Sequence, residues 1–584
     1  MSNNANPPAV TIRARVHQSA LKRVTKFWAS RPIEVFLEAL QNSRRAAATR
    51  VHVTVETLTK PSGHATKPSE PHLAVTVTDD GAGIEDPAVL LSFGENGWSD
   101  DLVAREDAAG MGILSLAHRG CRISSRVRTP DGQAGQGWSV KLEPEHFTGQ
   151  NDAVVRPDDG APYPSGTAVR FEAAESADMI RAALASAARH YPLPVTFEGE
   201  ALERKAFLDG AVHAEAWNGL VFGVCRDRRQ NYLEPDLNFF GLTVPVRLPT
   251  VETVHGANWS VRADVVDCPG LELVLPARRE AVENEFTAEM RRAARLAVYR
   301  AMAADPEPRP AFADWTRAQD AGIHLAPPPQ VLRPWPPAIA DIDDWREPPK
   351  PAPAGPDALL MDCDPEPPEA QGLWRAAERA SLAERIFEAD RRLEGYEWYD
   401  RLDRITGIDT EVTDDDGKAW PLRDFPAPGQ KDATGTPLPQ RPAAIRMTLS
   451  VTTAGDRTRT LHLPADLAFA GEAWSWVGDA PPFVTRDSAL EPHQLAELLR
   501  RGYFAASDDA DADSWSTQAQ RFDEEALHIA TRLLRSVDTA LEISIAEAVR
   551  RELFWLVPQN RTVEISIARP DVRVVLGDPA QPAA

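Results

Sequence analysis

Apolar residues alternate with polar ones through Leu73, Val75 and Val77, and the run stops at Asp79 and Asp80 before a turn of Gly81, Ala82 and Gly83. A period of two marks a strand with one buried face, so this strand delivers a carboxylate to a glycine turn. An aspartate fixed there can accept a hydrogen bond from an exocyclic amine, and the glycines beside it leave bare backbone for a flat ring. Upstream, Ile33, Phe36, Leu37 and Leu40 fall at helical spacing in residues 32–47, with Pro32 suited to a first helical turn. Glu38 and Asn42 are four apart and share a face of that helix. Downstream, Gly110 and Gly112 precede the apolar run Ile113, Leu114 and Leu116. Glycine amides at a helix start form an anion site.

Further alternation predicts strands over 10–16, 51–58, 121–129, 137–144 and 167–173, and a short amphipathic helix over 19–28. The sum is an α+β sandwich, a mixed sheet with helices on one face. Between the glycine motifs, residues 90–109 turn polar after Phe93, which suits a lid that opens and closes cheaply. From Ser176 a helix precedes strands in LPVTFEGE, LVFGVCRD, TVPVRLP, WSVRADVVD and LELVLP, and a long helix runs from Arg279 to Met302. This predicts a second α+β domain over 176–304. Residues 305–371 are proline-rich and predict a linker or extended strap, with Trp315, Trp335 and Trp345 docking parts of it on a neighbouring surface. In 372–584, the pattern predicts a helix from Leu373 to Leu402, strands over 443–453 and 459–465, helices over 492–501 and 522–554, and two closing strands, VEISIA and VRVVLG.

At 584 residues the chain is too long for one core, and an apolar fraction of 43% is ample for several. It has no run of eighteen apolar residues and no charged start followed by an apolar stretch, which predicts a soluble, unsecreted protein without membrane contact. Cys121, Cys225, Cys268 and Cys363 are far apart with no C-x-x-C pair, which argues against zinc and a disulfide framework and for a reducing cytoplasm. A net charge of -23 opposes strong attraction to nucleic acid. Arg44, Arg45 and Arg50, or Lys22, Arg23 and Lys26, could still form a local basic patch, although solvated helix faces are the ordinary reading.

Four short patterns occur in a telling order: E-x-x-x-N at Glu38 and Asn42, D-x-G-x-G at Asp79, Gly81 and Gly83, G-x-G at Gly110 and Gly112, and Gly166-Thr167 inside a strand. Over the first third of the chain this order resembles the GHKL ATPases: gyrase, the ninety-kilodalton heat-shock chaperones, histidine kinases and the MutL mismatch-repair proteins. The resemblance implies a Bergerat-type ATP-binding domain over 1–175, a transducer-like domain over 176–304, and ATP with Mg2+ as ligands. It implies Glu38 as the base that activates water, Asn42 as a magnesium ligand, and Asp79 as the reader of the adenine amine beside Gly81 and Gly83. The Gly110 and Gly112 amides would hold phosphate, and Thr167 would support Asp79, although threonine is also favoured in any strand.

Ser99, in the lid turn Gly97-Trp98-Ser99, stands where relatives often carry a phosphate contact. Arg279, in LPARREAV, resembles the arginine-glutamate pair of the chaperone branch and is a candidate cation for the terminal phosphate; a helix-start salt bridge is the plainer reading. One departure is clear. The family usually continues E-x-x-x-N-x-x-D-A, whereas Arg45 and Ala46 stand here, with a cation near the expected adenine edge. The expected activity is that of a chaperone-like, cytoplasmic ATP-driven switch that hydrolyses ATP, closes or forms a homodimer with nucleotide, and acts on a protein client. A DNA-associated clamp like MutL or gyrase is the alternative, with nucleic acid not favoured by charge. A non-hydrolysing nucleotide-binding scaffold is a third reading, against which Glu38 argues. Residues 372–584 resemble no family.

Overall fold

Strand pairing in the first part of the chain follows the alternation of its valines. β1 (Val51–Leu58) and β2 (His72–Asp79) are antiparallel with Val53 opposite Val77. Beyond them lie β3 (Cys121–Arg128), β4 (Ala134–Leu142), β5 (Val155–Pro157), β6 (Gly166–Ala173), β7 (Val195–Phe197) and β8 (Glu200–Ala201). They form one eight-stranded sheet in the order β5-β4-β3-β6-β2-β1-β7-β8, in which β7 runs parallel to its neighbour β1 and the other pairs are antiparallel. The chain is described here from a computed structural model, which covers residues 32–58, 72–92, 98, 112–129, 131, 133–226, 235–274, 280–341, 347–425, 441–471, 482–509, 512–535, 537–557, 561–568 and 570–577.

Two helices, α1 (Pro32–Arg45) and α2 (Ala177–Ala188), pack side by side and cover this sheet. Phe36 and Leu40 of α1 and Ile180 and Leu184 of α2 are buried with Val51, Val53, Val75, Val77 and Phe171 in one core. Each such fully buried side chain contributes about 1.5–3 kcal/mol. Ser176 caps α2, its hydroxyl oxygen accepting from the Met179 amide. The core continues past the expected boundary at 175, because the apolar face of α2 is covered by this sheet and β7 extends the sheet beside β1. The architecture is the α+β sandwich expected from the sequence, with β2 central and its Asp79 end beside the end of α1.

A second sheet is built from β9 (His213–Trp217), β10 (Leu220–Arg226), β11 (Leu237–Phe239), β12 (Leu242–Val244), β13 (Thr250–Val251) and β14 (Trp259–Val265), in the order β12-β11-β14-β10-β9 with β13 also on β14. Its covering helix, α3 (Glu285–Ala303), starts at Asn284 and Thr287, whose side chains satisfy each other's amides, and buries Met290, Val298, Tyr299 and Met302 against the strands.

The chain divides into two units, Met1–Pro327 and Pro328–Ala584, and the proline-rich stretch falls in both. In the first unit that stretch forms a helix, Phe312–Asp320, and Trp315 donates its indole N–H to the Leu325 carbonyl at 3.0 Å. In the second, Trp335 is buried in a core with Leu373, Ile405, Met447 and Leu449. Trp345 lies outside the described residues.

The second unit holds a six-stranded mixed sheet whose longest strands are Asp403–Thr413, Ala444–Thr452 and Thr458–Ala465, with helices Pro367–Arg379, Pro492–Tyr503, Trp515–Leu534 and Val537–Glu552. The helix expected from Leu373 to Leu402 is corrected: it ends at Arg379, Ser381 takes a left-handed conformation with φ +54°, and Ile386–Glu388 pairs as a parallel strand with Leu359–Met361. Helix-forming composition there loses to strand pairing that buries Ile386 and Phe387. No helix among the described residues is long and apolar enough to cross a membrane.

Candidate active site

Asp79 ends β2 with its carboxylate held on three sides. Oδ1 accepts the Gly81 amide at 2.9 Å and the Thr167 amide at 3.3 Å, and Oδ2 lies 3.2 Å from the Ser43 hydroxyl. Burial raises its pKa above the ordinary carboxylate value, although the bonds from Gly81, Ser43 and Thr167 work the other way. The glycines are set by space. A Cβ on Gly166, at φ +133°, would sit 2.0 Å from the Asp79 carbonyl oxygen, and one on Gly83, at φ +79°, 2.1 Å from the Arg126 carbonyl oxygen. No other residue fits at either point, so Gly166 lets β6 press against the end of β2. At Gly81 a Cβ would meet Ala46 Cβ at 2.7 Å, which keeps the floor beside Asp79 narrow and flat.

Thr167 thus supports Asp79 through its backbone amide. Its hydroxyl lies 3.1 Å from that of the fully buried Ser125, which also donates to the Gly166 carbonyl and accepts from the Ile84 amide. Asp80 faces the other way. It accepts from the Thr49 amide, the Thr49 hydroxyl and the Arg50 amide at 2.7, 2.6 and 3.2 Å, pinning the segment after α1 to the end of β2. Burial works to raise its pKa, but these bonds outweigh it and the net shift is downward.

Glu38 and Asn42, one turn apart on α1, converge on Gly112. A Cβ on Gly112 would lie 2.6 Å from Glu38 Oε2 and 3.5 Å from Asn42 Nδ2, so glycine there admits both side chains to one spot. The segment after it differs from the expected helix: Gly112–Leu116 is a short 3-10 helix in which Leu114, Ser115 and Leu116 are buried in succession. Arg45 donates to Asn42 Oδ1 at 3.4 Å, so this cation turns toward the candidate metal ligand. At Gly112 it is the Glu38 carboxylate and the Asn42 amide nitrogen that meet, so for magnesium, which takes oxygen ligands, Asn42 would have to turn its Oδ1 from Arg45 toward the site. Among the described residues no cluster of three or more His, Cys, Asp or Glu is poised to hold a metal.

Glu38, Asn42, Asp79, Gly81, Gly83, Gly112 and Thr167 are therefore brought together by α1, β2, β6 and the Gly112 turn. Ser99, Gly110, Arg278 and Arg279 lie outside the described residues, as do most of the lid, the expected strand over 10–16 and helix over 19–28, and Lys22, Arg23 and Lys26. Ser43 and Ser125 went unnoticed in the sequence. Ser43 directly follows Asn42 and projects from the helix toward β2, a placement that could have been read from helical geometry once Asp79 was assigned to the neighbouring strand.

No protein-family model matches the chain, and no curated protein matches it in sequence. Among solved structures it is similar to the ATPase region of topoisomerase II from Saccharomyces cerevisiae, with 11% identity over 43% of this chain and 77% of that one and a TM-score of 0.30. It is also similar to the B-subunit of DNA gyrase from Myxococcus xanthus, with 14% identity, 50% and 97% coverage and a TM-score of 0.31. A third is the N-terminal domain of a DNA repair protein, with 10% identity, 47% and 97% coverage and a TM-score of 0.27.

Proposed function

We propose that the first unit binds and hydrolyses ATP with Mg2+ and that the chain is an ATP-driven conformational switch. The observation that carries this reading is that one helix meets both motifs: Glu38 and Asn42 of α1 meet at Gly112, and Ser43 of the same helix reaches Asp79. In this reading Asp79 Oδ2 accepts the adenine amine over Gly81 and Gly83, with Thr167 and Ser43 holding the carboxylate. Asn42 would hold the metal through Oδ1, and Glu38 would take the proton of the attacking water. The amides of Gly110 and Gly112, with Ser99, contact phosphate, and Arg279 reaches the terminal phosphate from the second domain. Magnesium, when bound, neutralises charge on the phosphates.

The test is hydrolysis by the wild type and by Glu38→Ala. The variant should hold nucleotide within about an order of magnitude of wild-type affinity and lose roughly a hundredfold or more in rate. Equal rates would remove Glu38 from the reaction.

We take the partner to be a protein client, on a dimer whose closure nucleotide favours. A DNA-associated clamp is the alternative, and its requirement for a basic surface meets one counter-observation. Of the arginines that could have formed a patch, Arg44 lies 3.7 Å over the Phe240 ring, Arg45 donates to Asn42, and Arg50 pairs with Asp80 at 3.4 Å. Hydrolysis that rises severalfold with duplex DNA and falls back with salt would favour the clamp.

A further inference from the structure

Gln41 lies on α1 between Glu38 and Asn42, yet it faces away from the site. It is 3% exposed, and its amide Nε2 donates to the Phe240 carbonyl at 2.9 Å and the Phe239 carbonyl at 3.3 Å. Phe239 ends β11, and Phe240 opens the two-residue turn that leads to β12. Phe240 and Gly241 have φ +53° and +99°, the positive values of a primed hairpin turn. The turn is braced from its own side. Asn238 Oδ1 accepts the Gly241 amide at 2.8 Å, and Asn238 Nδ2 donates to Asp264 Oδ1 on β14 at 2.8 Å.

Two neighbours on the same helical turn repeat the grip. The Arg44 guanidinium stacks on the Phe240 ring at 3.7 Å, and the Leu40 carbonyl accepts the Tyr191 hydroxyl at 2.6 Å. Tyr191 also fills the space under Gly241, where a Cβ would come within 3.0 Å of it.

We infer that Gln41 is a positioning residue through which the β11–β12 hairpin fixes the setting of α1, and so couples the second sheet to the ATPase site; the inference rests on the reading of that site given above. A helix moves as a rigid rod over one turn, so a displacement at Gln41 is a displacement at Glu38 and Asn42. The route also runs backward. A nucleotide that draws Asn42 or Ser43 toward itself loads the Gln41 bonds, and the strain reaches β11 and β14 through Asn238.

The experiment is hydrogen exchange of the full chain with and without a non-hydrolysable ATP analogue and Mg2+, together with steady-state kinetics. In the wild type the analogue slows exchange at residues 79–84 and also at 237–244. Gln41→Met keeps the volume and loses both donors. It should retain the slowing at 79–84, lose it at 237–244, and lower kcat by about tenfold with KM moved less than about threefold. Gly241→Ala attacks the same contact from the hairpin, so a Gln41→Met chain that failed to fold would leave the test standing. The double variant should be no worse than the poorer single one within about twofold.

Persistence of the 237–244 response in Gln41→Met, or losses in the two variants that simply multiply, overturns this inference alone. A wild type without slowing at 79–84 overturns the nucleotide site and the coupling together.

Discussion

Replacing Asp79 with asparagine separates binding from folding, and the structure gives the size of each effect. The Gly81 and Thr167 amides both point at Oδ1, so the substituted side chain must turn its carbonyl oxygen to them and place its NH2 where Oδ2 was. Ser43 tolerates this, because its one hydroxyl proton already has the Ala39 carbonyl at 2.9 Å as an acceptor and its oxygen can then receive the new N–H. An adenine amine cannot adapt in that way. It loses a charged acceptor and meets a donor, which together cost about 3–5 kcal/mol, or roughly two to four orders of magnitude in affinity. Folding should move the other way.

Burial raises the Asp79 pKa, and a carboxyl whose pKa is higher folded than unfolded costs stability as pH climbs from its ordinary 3.8 through the folded value. The amide that replaces it has no proton to lose. The two proteins should therefore melt alike below about pH 3.8, and the variant should equal or exceed the wild type at neutral pH. Calorimetric titration with ADP and melting curves from about pH 3.5 to 8 measure both halves of this linkage. Wild-type affinity for ADP in Asp79→Asn would refute the assignment of Asp79, and a large drop in melting temperature at neutral pH would refute the account of how its carboxylate is held.

Gly166→Ala should destabilise the first unit by ~3 kcal/mol or more in urea denaturation, since the new Cβ meets the Asp79 carbonyl oxygen at 2.0 Å with φ at +133°; a shift below about 0.5 kcal/mol would mean that β6 does not press there. Arg45→Ala removes a cation from Asn42 Oδ1, so half-saturation of hydrolysis by Mg2+ should need roughly fivefold less metal, about 1 kcal/mol for a partly solvated like-charge contact. No change, or a rise, would show that Arg45 plays no part in the metal's surroundings. Arg279→Ala should leave ADP binding nearly unchanged while slowing hydrolysis, and unchanged hydrolysis would shift the search to Arg278.

The parts of the site visible in the sequence are those fixed by short-range geometry. Spacing of four on α1 pairs Glu38 with Asn42, and the valine alternation of β2 aims Asp79 at the glycine turn, so each could be placed on its element from a dozen residues. Gly112 meeting Glu38 could be expected only from the order of the motifs, because no local rule brings a turn across to α1. The contact of Gln41 with Phe240 was beyond reach. It joins residues 199 apart, and a glutamine inside an amphipathic helix gives no sign that its face is buried. The helix expected over Leu373–Leu402 failed for a related reason: its composition favours helix residue by residue, while the pairing of Ile386–Glu388 with Leu359–Met361 is decided by a strand far upstream.

The measurement that bears most directly on the central claim is a crystal structure of the chain grown with a non-hydrolysable ATP analogue and Mg2+. The account predicts the adenine amine within hydrogen-bond distance of Asp79 Oδ2, the metal on Asn42 and the phosphates beside Gly112, with Glu38 turned toward the terminal phosphate. A nucleotide bound elsewhere, or none in this site at saturating concentration, would contradict it.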